Sequence, residues 1–294
     1  MISNEILEKI SWAADAIKDS DALVFAAGAG MGVDSGLPDF RGNDGFWNAY
    51  PPYKKLGLSF VDLANPEWFT NDPTLAWGFY GHRLGLYRNT NPHTGYDLLL
   101  KWGNQKKYGY QVFTSNVDGA FRKAGFDNNK IVECHGRIDL AQCTKCCGVG
   151  IFSIDKENVK VDQQTFRATG LLPACNKCGA IARPNILMFY DFDWDSGVID
   201  RQYNRMRNWL QLVAPTKVTI IECGAGVAVA SVRKFCSNLL NTHNAKLVRI
   251  NVRDYEVENA NNQVGIPLGA LEALTAIEQK MKLRYGFKKS TNHR

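Results

Sequence analysis

The sequence predicts an α/β fold, a doubly wound parallel sheet joined to a second, smaller domain. Three observations predict it. Short unbroken apolar runs, the first being Ala22-Leu23-Val24-Phe25-Ala26-Ala27, read as strands buried on both faces. Helical patterns lie between several of these runs, and strands alternating with helices argue for a parallel sheet covered on both faces. Two stretches break the alternation: about 47–87, rich in aromatics and prolines, and about 139–183, which holds paired cysteines.

Along the chain, Ile6, Leu7, Ile10, Ala13, Ala14 and Ile17 recur at helical spacing and predict a first helix over about 4–18, broken by Asp19-Ser20-Asp21. The strand at 22–27 runs directly into Gly28-Ala29-Gly30-Met31-Gly32. Small residues there let backbone N–H groups approach a phosphate, although a lone glycine-rich turn fits a plain strand-to-helix connection equally well. Further strands are expected at 110–114, 186–189, 218–221 and 247–250, and a last helix at about 268–283. The larger domain is then expected from 1–46, 88–138 and 184–294. The smaller one is expected from the two insertions, 47–87 and 139–183.

With 294 residues, 45% hydrophobic and 22% charged, the composition is that of a globular chain with room for one large core and a satellite. No apolar run reaches membrane-span length, and the N-terminus lacks a basic-then-apolar leader. Eight cysteines without such a leader point to a reducing cytoplasm. The net charge of +6 suits an anionic cofactor or an acidic partner, but does not by itself argue for nucleic acid. Part of it lies in a basic tail, Lys288, Lys289 and Arg294, which reads as a solvated end.

The cysteines carry the strongest single pattern. Cys143-x-x-Cys146 and Cys175-x-x-Cys178-Gly179 can each place two thiolates on one turn, and two such turns close a tetrahedral Zn²⁺ site. Four thiolates leave no open position, so the ion is expected to be structural. Two disulfides or buried thiols are the alternative. Cys147 directly follows one ligand, but Cys146 keeps the spacing and is preferred. Cys134, Cys223 and Cys236 lie in apolar stretches and read as core residues. His135, eight residues before the first ligand, has an ordinary pKa that suits a general base, although a lone histidine is more often structural.

The continuation of the glycine turn is Ser35-Gly36-Leu37-Pro38-Asp39-Phe40-Arg41-Gly42. Thr114-Ser115-Asn116-Val117-Asp118 and Glu133-Cys134-His135-Gly136 follow, then both cysteine pairs, Arg183-Pro184, Gly224-Ala225-Gly226 and Ile250-Asn251. These ordered motifs, spread over about 28–251, resemble the sirtuin family, the NAD-dependent protein lysine deacetylases and deacylases. The resemblance implies a Rossmann-like, NAD-binding larger domain and a structural zinc ion. It also implies a reaction in which the acyl oxygen of a modified lysine attacks the ribose carbon bearing nicotinamide.

Carried over residue by residue, His135 would be the general base, Asn116 would orient the nicotinamide ribose and Asp118 would bind the nicotinamide amide. Turn capping is the plainer role for Asn116 and Asp118. Gly28, Ala29 and Gly30 would cradle phosphate. Asp39, Phe40 and Arg41 would lie on a loop closing over the cofactor, and Ser115 would lie beside it. Gly224, Ala225, Gly226 and Asn251 would contact the rest of the nucleotide. Ser35 is expected to cap or pack near the phosphate loop, and His93 to be structural. Tyr80-x-x-Arg83 on a helix could aim a hydroxyl and a guanidinium at one carboxylate, similar to sirtuins that remove succinyl or malonyl groups; an aromatic helix with Arg83 facing solvent is the alternative.

Several positions depart from the family pattern. Gly32 stands where Ser is usual, Ser115 where Gln is usual, and Ala225 and Gly226 where hydroxyl residues are usual. Each change removes or shortens a hydrogen-bonding side chain, a bond of about 0.5–1.5 kcal/mol. Tyr190 stands where Gly is usual, in a segment expected to pair with the substrate peptide as an added strand. Three functions remain open on the sequence: a deacylase acting on an acylated lysine, an enzyme that hydrolyses NAD or transfers ADP-ribose to protein, and a nucleotide-binding sensor without catalysis.

Overall fold

The computed structural model describes residues 3–38 and 42–285, so Asp39, Phe40, Arg41 and the basic tail lie outside the described residues. The first helix, α1 (Asn4–Asp19), starts where the Ser3 hydroxyl accepts the Ile6 N–H at 3.4 Å, and it buries Ile10, Ala13, Ala14 and Ile17. Strand β1 (Ala22–Ala27) follows and is buried at every position. Its apolar run is unbroken because both faces are covered. Leu23, Phe25 and Ala27 pack on one side, while Ala22, Val24 and Ala26 pack on the other.

A 3₁₀ turn (Ala29–Ser35) leads from β1 into a run of helices: α2 (Gly42–Ala49), α3 (Pro51–Lys55), α4 (Phe60–Leu63), α5 (Trp68–Asn71) and α6 (Pro73–Asn89). Helix α7 (Gly95–Asn104) returns the chain to the main sheet at β2 (Tyr110–Thr114). Helix α8 (Ala120–Lys123) then leads to β3 (Ile131–Glu133). Strands β4 (Gly136–Cys143), β5 (Phe152–Ser153), β6 (Lys160–Val161), β7 (Ala168–Thr169) and β8 (Ala182–Ile186) form two small antiparallel sheets, β5-β4-β8 and β6-β7. Helix α9 (Gly197–Val213), β9 (Val218–Cys223), α10 (Ser231–Thr242), β10 (Ala245–Ile250), β11 (Gln263–Ile266) and α11 (Ala270–Tyr285) complete the main domain.

The main sheet has the order β11-β10-β9-β1-β2-β3, and every pairing in it is parallel. Helices α1, α7 and α11 cover one face, and α9 and α10 cover the other. The chain leaves β1 toward β2 on one side and later returns to β9 on the other. The strand order therefore reverses at β1, which is where ligands bind in open sheets of this kind.

A second core gathers Phe46, Tyr50, Tyr53, Phe69, Trp77, Phe79 and Tyr80 against Ile138, Ala141, Ile154, Phe166 and Ile186. Ile138, Ile186 and Met188, expected in the larger unit, pack in this smaller one. The strand expected at 186–189 is a correction: β8 ends at Ile186 and belongs to an antiparallel sheet. Beyond it the backbone bonds diverge, Leu187 N–H to the His135 carbonyl and Phe189 N–H to the Ala64 carbonyl, so no ladder continues. The turn is anchored by Asp191, which receives a bidentate Arg183 at 2.7 and 2.8 Å and the Met188 N–H at 3.3 Å. Among the described residues no helix is long and apolar enough to cross a membrane.

Candidate active site and metal centre

The turns that follow β1, β2, β3, β9 and β10 meet at the carboxyl ends of adjacent parallel strands, and backbone bonds tie them together. The Gly28 N–H donates to the Cys223 carbonyl at 3.0 Å, Ser115 N–H to Ala27 at 3.1 Å, Cys134 N–H to Thr114 at 2.8 Å and Gly224 N–H to Ile250 at 2.9 Å. Two asparagine amides add cross-links. Asn116 Nδ2 donates to the Gly28 carbonyl at 3.0 Å, and the buried Asn251 donates to the Ala225 carbonyl at 2.9 Å.

The glycines are there for close approach. A Cβ on Gly28 would stand 2.7 Å from Ala225 Cα, and one on Gly224 would stand 2.3 Å from Met31 N. This cradle admits backbone where a side chain would fill it, and it suits a diphosphate. Ala29 is exposed beside it, Ala225 is buried under it, and Gly226 is partly exposed. Behind the cradle, Ser35 Oγ accepts the His93 N–H at 3.0 Å. His93 Nδ1 accepts the Gly95 N–H, also at 3.0 Å, so its Nε2 carries the proton and donates to the Met31 carbonyl at 3.0 Å. Both residues therefore support the turn, as the sequence suggests.

Asp118 accepts the Ala120 N–H at 2.8 Å, closing the turn that leads into the short helix α8, whose N-cap residue is Gly119. Burial raises its carboxyl above the ordinary range, against that bond and the nearby Arg83 and Arg122. His135 follows β3, and its Nε2 lies 3.0 Å from the Ser231 hydroxyl. Burial lowers its pKa, a backbone hydrogen bond at Ser115 acting the other way, so the imidazole is held toward its neutral form.

A charged network that the sequence reading did not single out lies under His135. Glu133 receives Arg122 Nε at 3.2 Å, and Arg122 forks onto Asp139 at 3.1 and 3.3 Å. Arg137 also forks onto Asp139, at 3.0 and 2.6 Å. The Gln202 side chain takes the Glu133 N–H at 2.9 Å. Burial pushes the Glu133 carboxyl up to about 7 despite the pull of Arg122. The only sequence signal was a glutamate two residues before the histidine.

Tyr80 and Arg83 share the buried face of α6, and Arg83 does not face solvent. Its Nε and Nη2 donate to the Tyr87 hydroxyl at 3.0 and 2.9 Å. Its guanidinium carbon sits 5.1–5.8 Å from the ring centres of Phe79, Tyr87, Tyr80 and Phe60. Tyr87, one helical turn on from Arg83, was missed by the sequence reading.

The cysteine cluster contains one substitution relative to expectation. The sulfurs of Cys143, Cys147, Cys175 and Cys178 lie within 4.8 Å of one another, whereas Cys146 is exposed. The reason is a tight turn: the Cys146 N–H donates to the Cys143 carbonyl at 3.2 Å, and Cys146 takes a left-handed φ of +47°, so the following residue supplies the ligand. The Cys143–Cys178 and Cys147–Cys175 sulfur pairs are each 3.5 Å apart, close to the edge of about 3.8 Å in a Zn–S₄ tetrahedron. Burial works against ionisation at Cys175, but the N–H groups of Cys178 and Lys177 and the neighbouring thiols bring its pKa down to about 6. The four thiols fit one structural Zn²⁺.

The comparisons with known proteins agree with this geometry. The Sir2 family profile matches residues 28–208. The NAD-dependent protein deacylase of Aeropyrum pernix is 31% identical over 183 residues, covering 62% of this chain and 65% of that protein. The one from Pyrococcus furiosus is 37% identical over 175 residues, covering 58% and 62%. The matched part thus spans just under two thirds of these relatives' length. Among solved structures, a Sir2 homologue–NAD complex superposes with a TM-score of 0.62 at 23% identity, over 96% of this chain and 95% of that one. A mutant Sir2 homologue bound to ADP-ribose gives 0.64 at 24%, over 98% and 100%. A three-dimensional match of that extent at such identity speaks for the fold, and the profile match over most of the motif-bearing region speaks for descent. The chain belongs to the Sir2, or sirtuin, family.

Proposed function

We propose that the chain is an NAD-dependent protein lysine deacylase, transferring the acyl group of a modified lysine to ADP-ribose with release of nicotinamide. One observation carries the reading: a half-buried histidine held toward neutrality, His135, follows the strand beside the one that leads into Asn116 and Asp118; the Asn116 turn is bonded to the glycine cradle after β1, and the His135 turn is bonded to Thr114 at the end of β2. The relatives named as deacylases support it.

Bound NAD supplies an electrophilic ribose carbon with a good leaving group. Gly28, Ala29, Gly30, Gly224, Ala225 and Gly226 hold its phosphates, and Asn251 its adenosine ribose. Asp118, with a carboxyl raised by burial, offers a hydrogen bond to the nicotinamide amide. Asn116 orients the nearer ribose, and His135 Nε2 takes the proton from a ribose hydroxyl. Cys143, Cys147, Cys175 and Cys178 hold zinc away from the chemistry, and a thiolate site of this kind supports a reducing, cytoplasmic setting. Tyr80 and Arg83 favour an acidic acyl group, because a guanidinium seated among rings strongly attracts a carboxylate.

The test is nicotinamide release from NAD⁺ by wild type and His135→Ala, without peptide and with acetyl-lysine or succinyl-lysine peptides. Release that requires both peptide and His135 supports the reading, and the better peptide decides the role of Tyr80 and Arg83. A second reading, ADP-ribosyl transfer to a protein hydroxyl, is favoured by the contact between His135 and Ser231. It would give release without an acyl peptide.

A further inference from the structure

Ser231 is the first residue of α10, one position past its N-cap residue Ala230, and its hydroxyl is not spent on the N–H groups of its own helix. Here no side chain caps α10. The hydroxyl instead lies 3.0 Å from His135 Nε2, the nitrogen of the proposed base. In the tautomer protonated at Nδ1, Nε2 accepts and Ser231 donates, which is the arrangement of an activated hydroxyl nucleophile. Ser231 is half-buried, and the loop before it is fixed rather than free: Arg233 donates to the Ala225 carbonyl at 3.1 and 3.2 Å and also to the Asp254 carbonyl. The segment that presents the serine is therefore continuous with the glycine cradle.

We propose that Ser231 is an internal acceptor of ADP-ribose, so that the chain modifies itself at this serine when NAD⁺ is bound and no acyl-lysine is present. The inference rests on the reading of the site as NAD-binding. The step balances without a further reagent. Ser231 Oγ forms a bond to the ribose carbon as the bond from that carbon to the nicotinamide nitrogen breaks. The electron pair of the broken bond leaves with nicotinamide, which departs neutral. The hydroxyl proton passes to His135 Nε2 and then to solvent. The product is an O-glycoside of Ser231 that fixes a diphosphate beside the cradle and closes the site to a second NAD⁺. An acyl-lysine competes for the same carbon, so peptide should suppress the modification.

The experiment incubates the full chain with NAD⁺ alone and reads intact mass and the modified residue by peptide fragmentation. In parallel, NAD⁺ binding is followed by calorimetry and nicotinamide release is followed with acyl peptide. The expected result is one ADP-ribose per chain on Ser231, retained in Ser231→Thr and lost in Ser231→Ala. In His135→Ala it should form about a hundredfold more slowly or worse. Thermal melting of each variant separates loss of the acceptor from loss of fold. An adduct elsewhere that persists in Ser231→Ala overturns the proposal. So does nicotinamide release without any adduct, since water is then the acceptor. Peptide-dependent release with no adduct overturns it while leaving the deacylase reading intact, whereas absence of NAD⁺ binding and of any release overturns both.

Discussion

The Gly30 N–H donates to the Gly224 carbonyl at 3.0 Å, so the turn after β1 and the turn after β9 form one cradle. Gly224 has a φ of +63°, and a Cβ there would meet Met31 N at 2.3 Å and the Gly30 carbonyl carbon at 2.4 Å. Gly224→Ala should therefore cost more than the 1–2 kcal/mol or so of a left-handed alanine, because backbone on both sides must also move. Gly226 meets nothing within 4 Å, so Gly226→Ala should lie within about 0.5 kcal/mol of wild type. Urea denaturation of the two variants checks the contrast, and equal losses would show that the two turns are not interlocked.

The metal centre gives a second contrast. Cys146→Ser should leave one bound zinc and an unchanged melting temperature, because that side chain is exposed. Cys147→Ser removes one of the four converging thiols and should release the ion, with proteolytic nicking of the segment that carries β5 to β7. Zinc content by atomic emission decides it. The reverse pattern would restore the Cys-x-x-Cys pairing.

What the sequence could and could not reveal divides along physical lines. The run 22–27 was legible because a strand covered on both faces must be apolar throughout. The loops at the sheet's carboxyl end were legible because backbone approach demands glycine at fixed places. Local spacing failed at Cys146, since one left-handed residue rotates the ligand position by one along the chain. It failed at 186–189 because Arg183 and Asp191, eight residues apart, fold the segment into a turn. Ser231 carried no signal beyond that of a serine at a helix start, and Arg83 read as easily for solvent as for the ring of aromatics that encloses it.

Burial lowers the pKa of His135 below its ordinary value near 6.5. A base works unprotonated, and a lowered pKa keeps it unprotonated to lower pH. The acid limb of kcat/KM should therefore fall below pH 6.5 and should shift when the Ser231 hydroxyl is removed in Ser231→Ala. A pH–rate profile from 5 to 9 measures both, and a limb above 6.5 would assign the base elsewhere.

Glu133 shifts in the opposite sense, up to about 7 from 4.5. Between those values the folded chain holds more protons than the unfolded one, so this group makes stability fall as pH rises through the window. The full effect is up to about 3 kcal/mol. Glu133→Gln keeps the neutral shape and removes the titration. The stability of wild type relative to Glu133→Gln should decline from pH 5 to pH 8, and parallel curves would mean that Arg122 and Arg137 keep Glu133 ionised throughout.

Tyr190 holds a left-handed φ of +58° with 75% of its surface exposed. The backbone thus carries a bulky ring in a conformation that favours glycine, a strain of about 1–2 kcal/mol. The bonds from Leu187 to His135 and from Phe189 to Ala64 explain why the turn does not relax: both ends are fixed, and Asp191 locks it to Arg183. Tyr190→Gly should stabilise the chain by about 1 kcal/mol, less than the strain relieved because glycine gains freedom in the unfolded state. If the acyl peptide lies along this segment, the same change should lower its KM while leaving kcat nearly unaltered. Melting temperature and peptide kinetics are read together: greater stability with an unchanged KM would put the peptide elsewhere, and lower stability would mean that the exposed ring makes contacts that outweigh its strain.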